Sequence, residues 1–273
     1  MRGFACCNEL FESWPWSRTL SLLAELGYRG IELAPFTLAA NPVDLRSWDW
    51  GALRHQVEFY GLEVVGLHWL LAKTQGLHLT SADPEVRRAT AEHLGRLAEL
   101  CRTLGGALMV LGSPQQRSLP AGMTLDEGMA HAVDTLTQAL PALEAMEVDL
   151  CLEALGPSET NFVNTMTQAE ELMQRVNHPR IRLHLDVKAM ASEATPMAEL
   201  IQRYASKAGH FHANDPNRRG PGFGACDFHP IFTALAKAGY SGWISVEVFD
   251  YSPDPATIAR ESLTYMQQCW PAE

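Results

Sequence analysis

Four short apolar runs in the second half of the chain each carry an ionisable residue near their end. These are Glu153 in VDLCLEAL (148 to 155), Asp186 in IRLHLDV (181 to 187), His212 in GHFHAND (209 to 215) and Glu247 in WISVEVF (243 to 249). Side chains of a β-strand alternate between its two faces, and a carboxylate is disfavoured against an apolar helix layer unless it has a partner there. Parity therefore puts Glu153, His184 with Asp186, His210 with His212 and Asn214, and Ser245 with Glu247 and Phe249 on the inward face. Three carboxylates and an imidazole converging in one place repel one another and are costly to desolvate unless a cation neutralises them. Such an O3N donor set suits Mn²⁺, Mg²⁺ or Co²⁺, and Zn²⁺ also fits. One layer deeper lie Cys151, His184, His210 and Ser245, so His184 and His210 are expected to support the ligands from behind. His68, in GLHWLL, is inward at a strand end and is a candidate for substrate contact. His55, His93, His131 and His178 fall in helical segments or just past one and are expected at the surface.

What must position these residues is a unit repeated along the whole chain: an apolar run, a polar loop, then a segment of helical period. FACCNEL (4 to 10), GIELAPF (30 to 36), EVVGLHWL (63 to 70) and ALMVLGS (107 to 113) precede the four runs above. In DPEVRRATAEHLGRLAELCRTLG, Asp83 caps a helix whose first position is Pro84, and Gly105 ends it. Strands that are apolar on both faces, alternating with helices, predict an α/β fold: a closed parallel TIM barrel, (β/α)8, as one domain over residues 1–273. An open dinucleotide-binding sheet would want GxGxxG after its first strand, and the sequence has none there. Active sites of barrels lie at the C-terminal strand ends, where the four candidate ligands fall.

The chain has 273 residues, 47% apolar and 19% charged, with a net charge of −11. That charge disfavours nucleic-acid binding, which relies on clustered Lys and Arg. No window approaches the roughly 18 apolar residues of a membrane span. The N-terminus carries Glu9 and Glu12 and lacks a small-residue cleavage pattern, so the expectation is a cytoplasmic chain that starts at Met1. Six cysteines without a CxxC read as reduced, mostly buried thiols.

The segments CLEALGPSETNF, IRLHLDVKAM and HFHANDPNRRGPGFGACDFHPIFTALAKAGYSGWISVEVF resemble the xylose-isomerase-like barrel superfamily, in particular its sugar (phosphate) isomerase and epimerase group with the D-tagatose and D-psicose 3-epimerases. The resemblance implies one divalent ion, usually Mn²⁺, held by Glu153, Asp186, His212 and Glu247. It also implies that Glu159 and Arg218, each six residues beyond a ligand, contact the sugar. The family places a substrate-binding His three residues after the Asp ligand, where this chain has Ala189. The implied chemistry passes through an enediolate of a keto-sugar, with Glu153 and Glu247 exchanging the proton.

The expected partner is thus a sugar or sugar phosphate, with no nucleic acid and no membrane, and with a homodimer or homotetramer left open. Three rival functions share the barrel: a metal-dependent keto-inositol or keto-sugar dehydratase, an abasic-site endonuclease and a non-catalytic sugar-binding protein. The endonuclease needs a three-metal cluster with further histidines, but Gly112 and Ala189 stand at two of those places. The Asp227–His229 pair that imitates one of its motifs reads as a helix N-cap. In RRGPGFG, Arg218 and Arg219 are placed to serve a phosphate or hydroxyls.

Overall fold

A computed structural model describes residues 1–39 and 49–271. Eight strands, β1 (Gly3–Cys7), β2 (Gly30–Leu33), β3 (Glu63–Leu67), β4 (Leu108–Leu111), β5 (Asp149–Glu153), β6 (Ile181–Asp186), β7 (Ala208–Ala213) and β8 (Trp243–Val246), pair in sequence order into a closed barrel. All pairings are parallel, and β1 closes on β8. The expected TIM barrel is therefore observed. Its principal helices are α1 (Trp16–Leu26), α2 (Trp50–Phe59), α3 (Pro84–Thr103), α4 (Leu125–Met146), α5 (Met166–Val176), α6 (Met197–Tyr204), α7 (Phe228–Lys237) and α8 (Pro255–Cys269).

Local sequence accounts for the helix ends. Asp83 accepts the Glu85 N–H at 2.9 Å ahead of Pro84, and Gly105 leaves α3 at φ 93°, a left-handed conformation that favours glycine. Asp227 accepts the His229 N–H at 3.0 Å and caps α7, as its position predicts.

Two apolar regions separate the layers. One lies between strands and helices, with Leu20, Leu23, Ile31, Leu183, Phe211 and Phe232 among its buried residues. The other is a small cluster of Ala5, Val65, Leu108, Val110, Cys151 and Trp243. Ala5, Cys151 and Trp243 share the parity of Cys7, Glu153 and Ser245, so this second cluster fills the barrel below the polar residues.

The strands are shorter than the apolar runs that announce them. Asn8–Phe11 is a 3-10 turn, Pro35–Leu38 a single helical turn, and β8 stops before Glu247. At this end the backbone leaves the ladder for side-chain partners: the Ala34 N–H donates to Asn8 Oδ1 at 2.8 Å, and the Leu71 N–H to Ser113 Oγ at 3.0 Å.

One expectation fails outright. His93 is fully buried, with Nε2 3.3 Å from the Leu70 carbonyl, and burial pushes its pKa down to about 4. It lies four and seven residues before Leu97 and Leu100, on the buried face of α3, which the helical period already contained. His55 is exposed, whereas His131 and His178 are half-buried. Among the described residues no helix is long and apolar enough to cross a membrane.

Candidate metal centre

Register brings the candidate ligands together. Glu153 stands opposite His184, His184 opposite His210, and Asp186 opposite His212, so β5, β6 and β7 present one continuous polar layer. Ligand atoms of Glu153, His184, Asp186 and His212 all lie within 4.8 Å of one another. Glu247, one residue beyond β8, joins through His212, its Oε2 being 3.1 Å from Nδ1. Its other oxygen accepts the Trp69 indole N–H at 2.8 Å.

Each ligand is held from a different side. Asp186 accepts the Ala189 N–H at 2.7 Å and the Asn214 amide at 2.6 Å. Arg117, itself buried, donates to the Glu153 carbonyl at 2.7 Å and fixes the end of β5. A Cβ at Gly112 would stand 1.6 Å from Glu153 Oε2, so only glycine leaves that carboxylate room. His212 Nε2 meets Glu32 at 3.1 Å, and Glu32 also bonds His210 Nε2 at 2.7 Å. His210 lies one layer deeper than His212, with Ser245 Oγ 3.1 Å from its Nε2. His184 stands among the ligands, and both its buried nitrogens lack a hydrogen-bond partner.

The electrostatics follow from burial and neighbours. Burial, with Asp186 and Glu247 adding to it, holds the Glu153 pKa well above the carboxylate range. Burial raises Asp186 too, although Lys188 opposes it. At Glu247 burial is outweighed by the His212 charge and by hydrogen bonds from His212 and Trp69, which bring its pKa down to about 2. Burial would lower His212, but Glu32 and Glu247 outweigh it and keep the ring protonated well above its usual range. For His184 burial, reinforced by His212 and His210, drives the pKa well below the usual value.

A divalent ion fits this donor set. Both His184 nitrogens are fully buried without a hydrogen-bond partner, and the Glu153 carboxylate lies within 4.8 Å of that ring. Oxygen-rich ligands with one or two imidazoles match a first-row divalent metal.

The residues expected to touch substrate surround a cavity of about 210 Å³ whose lining includes His68, Glu153, Glu159, Arg218, Glu247 and Phe249. His68 lines it, yet its Nε2 is engaged by Glu9 at 2.8 Å. Arg219 pairs with Asp250 at 2.9 Å, so of the two arginines Arg218 is the one that reaches the cavity.

The sequence matches the family described as Xylose isomerase-like TIM barrel over residues 20–269. The chain belongs to that family. A D-psicose 3-epimerase of Ruminiclostridium cellulolyticum is 29% identical over 179 residues, which are 63% of this chain and 59% of that protein. An L-ribulose 3-epimerase of Mesorhizobium japonicum is 29% identical over 261 residues, 93% of this chain and 80% of that one. The solved structure of an L-ribulose 3-epimerase shares the fold with a TM-score of 0.87 at 23% identity, covering 98% of this chain and 94% of that chain. The resemblance read from the second half of the sequence is thus borne out for this xylose isomerase-like barrel.

Sequence reasoning missed Glu9, Glu32, Trp69, Arg117 and Lys188. Glu32 was within reach, since the parity test that selected Glu153 also marks a carboxylate inside GIEL. Glu9 lies in a 3-10 turn, where period two no longer applies.

Proposed function

We propose that the chain is a divalent-metal-dependent isomerase that epimerises or isomerises keto-sugars, with Glu153, Asp186, His212 and Glu247 holding one ion, Mn²⁺ by preference. The observation that carries the chemistry is geometric: Glu153, Asp186 and His212 bring ligand atoms within 4.8 Å of one another, Glu247 joins them through His212, and Glu153 and Glu247 both line one cavity.

In this reading a ketose enters the cavity beneath Trp69 and Phe249, whose rings lie 6.1 Å apart and shield it from water. When bound, the ion polarises the ketone and stabilises the charge of the enediolate. Glu247, kept ionised by His212 and Trp69, removes the carbon-bound proton. Glu153 delivers a proton on the opposite face, which inverts the centre, or on the neighbouring carbon, which converts ketose to aldose. Glu32 accepts from His212 Nε2, which would leave Nδ1, on the side of Glu247, as the nitrogen to hold the ion, while Asn214 and the Ala189 N–H hold Asp186. Glu159, Arg218 and His68 line the space where sugar hydroxyls would sit. The names of the similar 3-epimerases favour epimerisation over the dehydratase reading.

Six free cysteines, five of them buried, favour a reducing compartment, and with it the cytoplasm. The closed barrel supports one domain over residues 1–273.

The test is turnover of ketopentoses and ketohexoses in D₂O by metal-loaded enzyme, read by mass spectrometry. The expected product carries deuterium on a carbon beside the carbonyl. An active Glu153→Gln, Glu247→Gln double variant would overturn the proposal.

A further inference from the structure

Four buried imidazoles, His68, His184, His210 and His212, gather inside the barrel, and carboxylates engage three of them. His68 Nε2 lies 2.8 Å from Glu9, His210 Nε2 lies 2.7 Å from Glu32, and His212 meets both Glu32 and Glu247 at 3.1 Å. His184 is the exception. Its ring is fully buried, and neither nitrogen has a hydrogen-bond partner among the described residues.

Acceptors are nevertheless close by. Register sets His184 opposite Glu153 on β5 and His210 on β7, and its ring centre lies 4.2 Å from that of His212, edge to face. Ligand atoms of Glu153, His184, Asp186 and His212 all fall within 4.8 Å of one another. Asp186 is turned to other donors, the Ala189 N–H and the Asn214 amide, and makes no hydrogen bond to the ring. Donors on opposite sides of a divalent ion stand about 4 Å apart. The four groups are therefore spaced to share one cation, with His184 reaching it from below Asp186 on the same strand.

We infer that His184 is a further protein ligand of the divalent ion, so that the centre holds two imidazoles beside its carboxylates. The inference rests on the metal-dependent reading above and goes beyond it, since there His212 is the only imidazole on the ion. A buried polar group without a partner is costly to keep, and coordination through one nitrogen gives this ring its partner while the other nitrogen keeps the proton. The second imidazole also bears on the choice of metal. Carboxylate oxygens suit Mg²⁺ and Mn²⁺, whereas each added imidazole favours Co²⁺ or Zn²⁺ over Mg²⁺.

The test is pulsed EPR of the Mn²⁺-loaded enzyme, in which each coordinated imidazole is read as a nitrogen coupled to the metal. The wild type should show two such imidazoles and His184→Leu one. Competition with a chelator should show Mn²⁺ affinity about 100-fold or more lower in His184→Leu, past the roughly 10- to 100-fold cost of losing a residue that only orients a ligand. The preference for Co²⁺ over Mg²⁺ should narrow about tenfold in the same variant. Without metal, His184→Leu should melt at or above the wild-type temperature, because an apolar side chain leaves no unpaired group in the barrel. A single coordinated imidazole in the wild type would overturn the inference whether or not the variant folds, and so would unchanged affinity in a folded His184→Leu. Either result leaves the centre of Glu153, Asp186, His212 and Glu247 standing. A wild-type enzyme that binds no divalent ion would instead overturn the metal-dependent reading and this inference with it, so the two failures are distinguishable.

Discussion

The two halves of the barrel use the same residue types for opposite ends. On β1 to β3 and their loops, Glu9 is bonded to His68 at 2.8 Å and Glu32 to His210 at 2.7 Å and His212 at 3.1 Å, so each carboxylate there has an imidazole partner. On β5 and β6, His184 leaves both nitrogens unpartnered, and Glu153 lies beside it on the wall of the cavity. Both groups are buried, so the difference is pairing and not exposure to water. A buried polar group left unpaired costs on the order of 1–3 kcal/mol, more when charged, and His184, with both nitrogens unpartnered, makes the second half the more open side. The first half is the more fully paired side, although Glu9 Oε1 and the Nδ1 atoms of His68 and His210 are buried without a hydrogen-bond partner.

Substitutions should expose this difference, most strongly on the open half. Glu153→Gln and Glu247→Gln each keep shape and a weak oxygen ligand but cannot exchange a proton at neutral pH. Each should lower kcat by at least about 100-fold with metal in excess; steady-state kinetics at saturating metal checks this, and near-normal kcat would make the pair mere ligands.

A buried imidazole outside the barrel interior sharpens the contrast through pH. His93 has its pKa lowered to about 4 by burial, so the folded state holds it neutral while the unfolded chain protonates it near the ordinary value of about 6.5. Its contribution is fully present above that ordinary value and is lost as pH falls towards about 4, a change of about 3 kcal/mol. Urea unfolding between neutral and acid pH should show this slope in the wild type and a shallower one in His93→Gln. Identical slopes would contradict the assignment.

On the more fully paired half the effect is indirect. Glu32→Gln should weaken metal affinity about 10- to 100-fold, because His212 loses the carboxylate that orients it. Competition with a chelator measures this, and unchanged affinity would remove Glu32 from the account.

How much of this was legible in the sequence depended on whether period two survived. Glu153, Asp186 and His212 lie on regular strands, and alternation alone turned them inward. Glu9 and Trp69 lie past strand ends, in a 3-10 turn and at φ 54°, where alternation carries no information. Arg117 reaches Glu153 from the loop after β4, a contact that depends on how the loop folds back. His184 has the parity of Asp186 but lies one layer deeper, and the register irregularity between Leu183 and His184 shifts it relative to β7. Lys188 lies in the helical turn Val187–Met190 just past β6, where strand alternation has ended, and its contact with Glu159 depends on how two loops fold together.

The comparison also yields a number, the count of ions. Among the described residues the groups built on Glu9 and Glu32 already pair carboxylate with imidazole, whereas the group of Glu153, His184, Asp186 and His212 is the one whose imidazole at His184 is wholly unpartnered. Elemental analysis of protein purified without added metal, beside His212→Ala prepared in the same way, reads that count. The account predicts one divalent ion per chain in the wild type and close to none in the variant. Two or three ions per chain, or equal occupancy in both proteins, would contradict it.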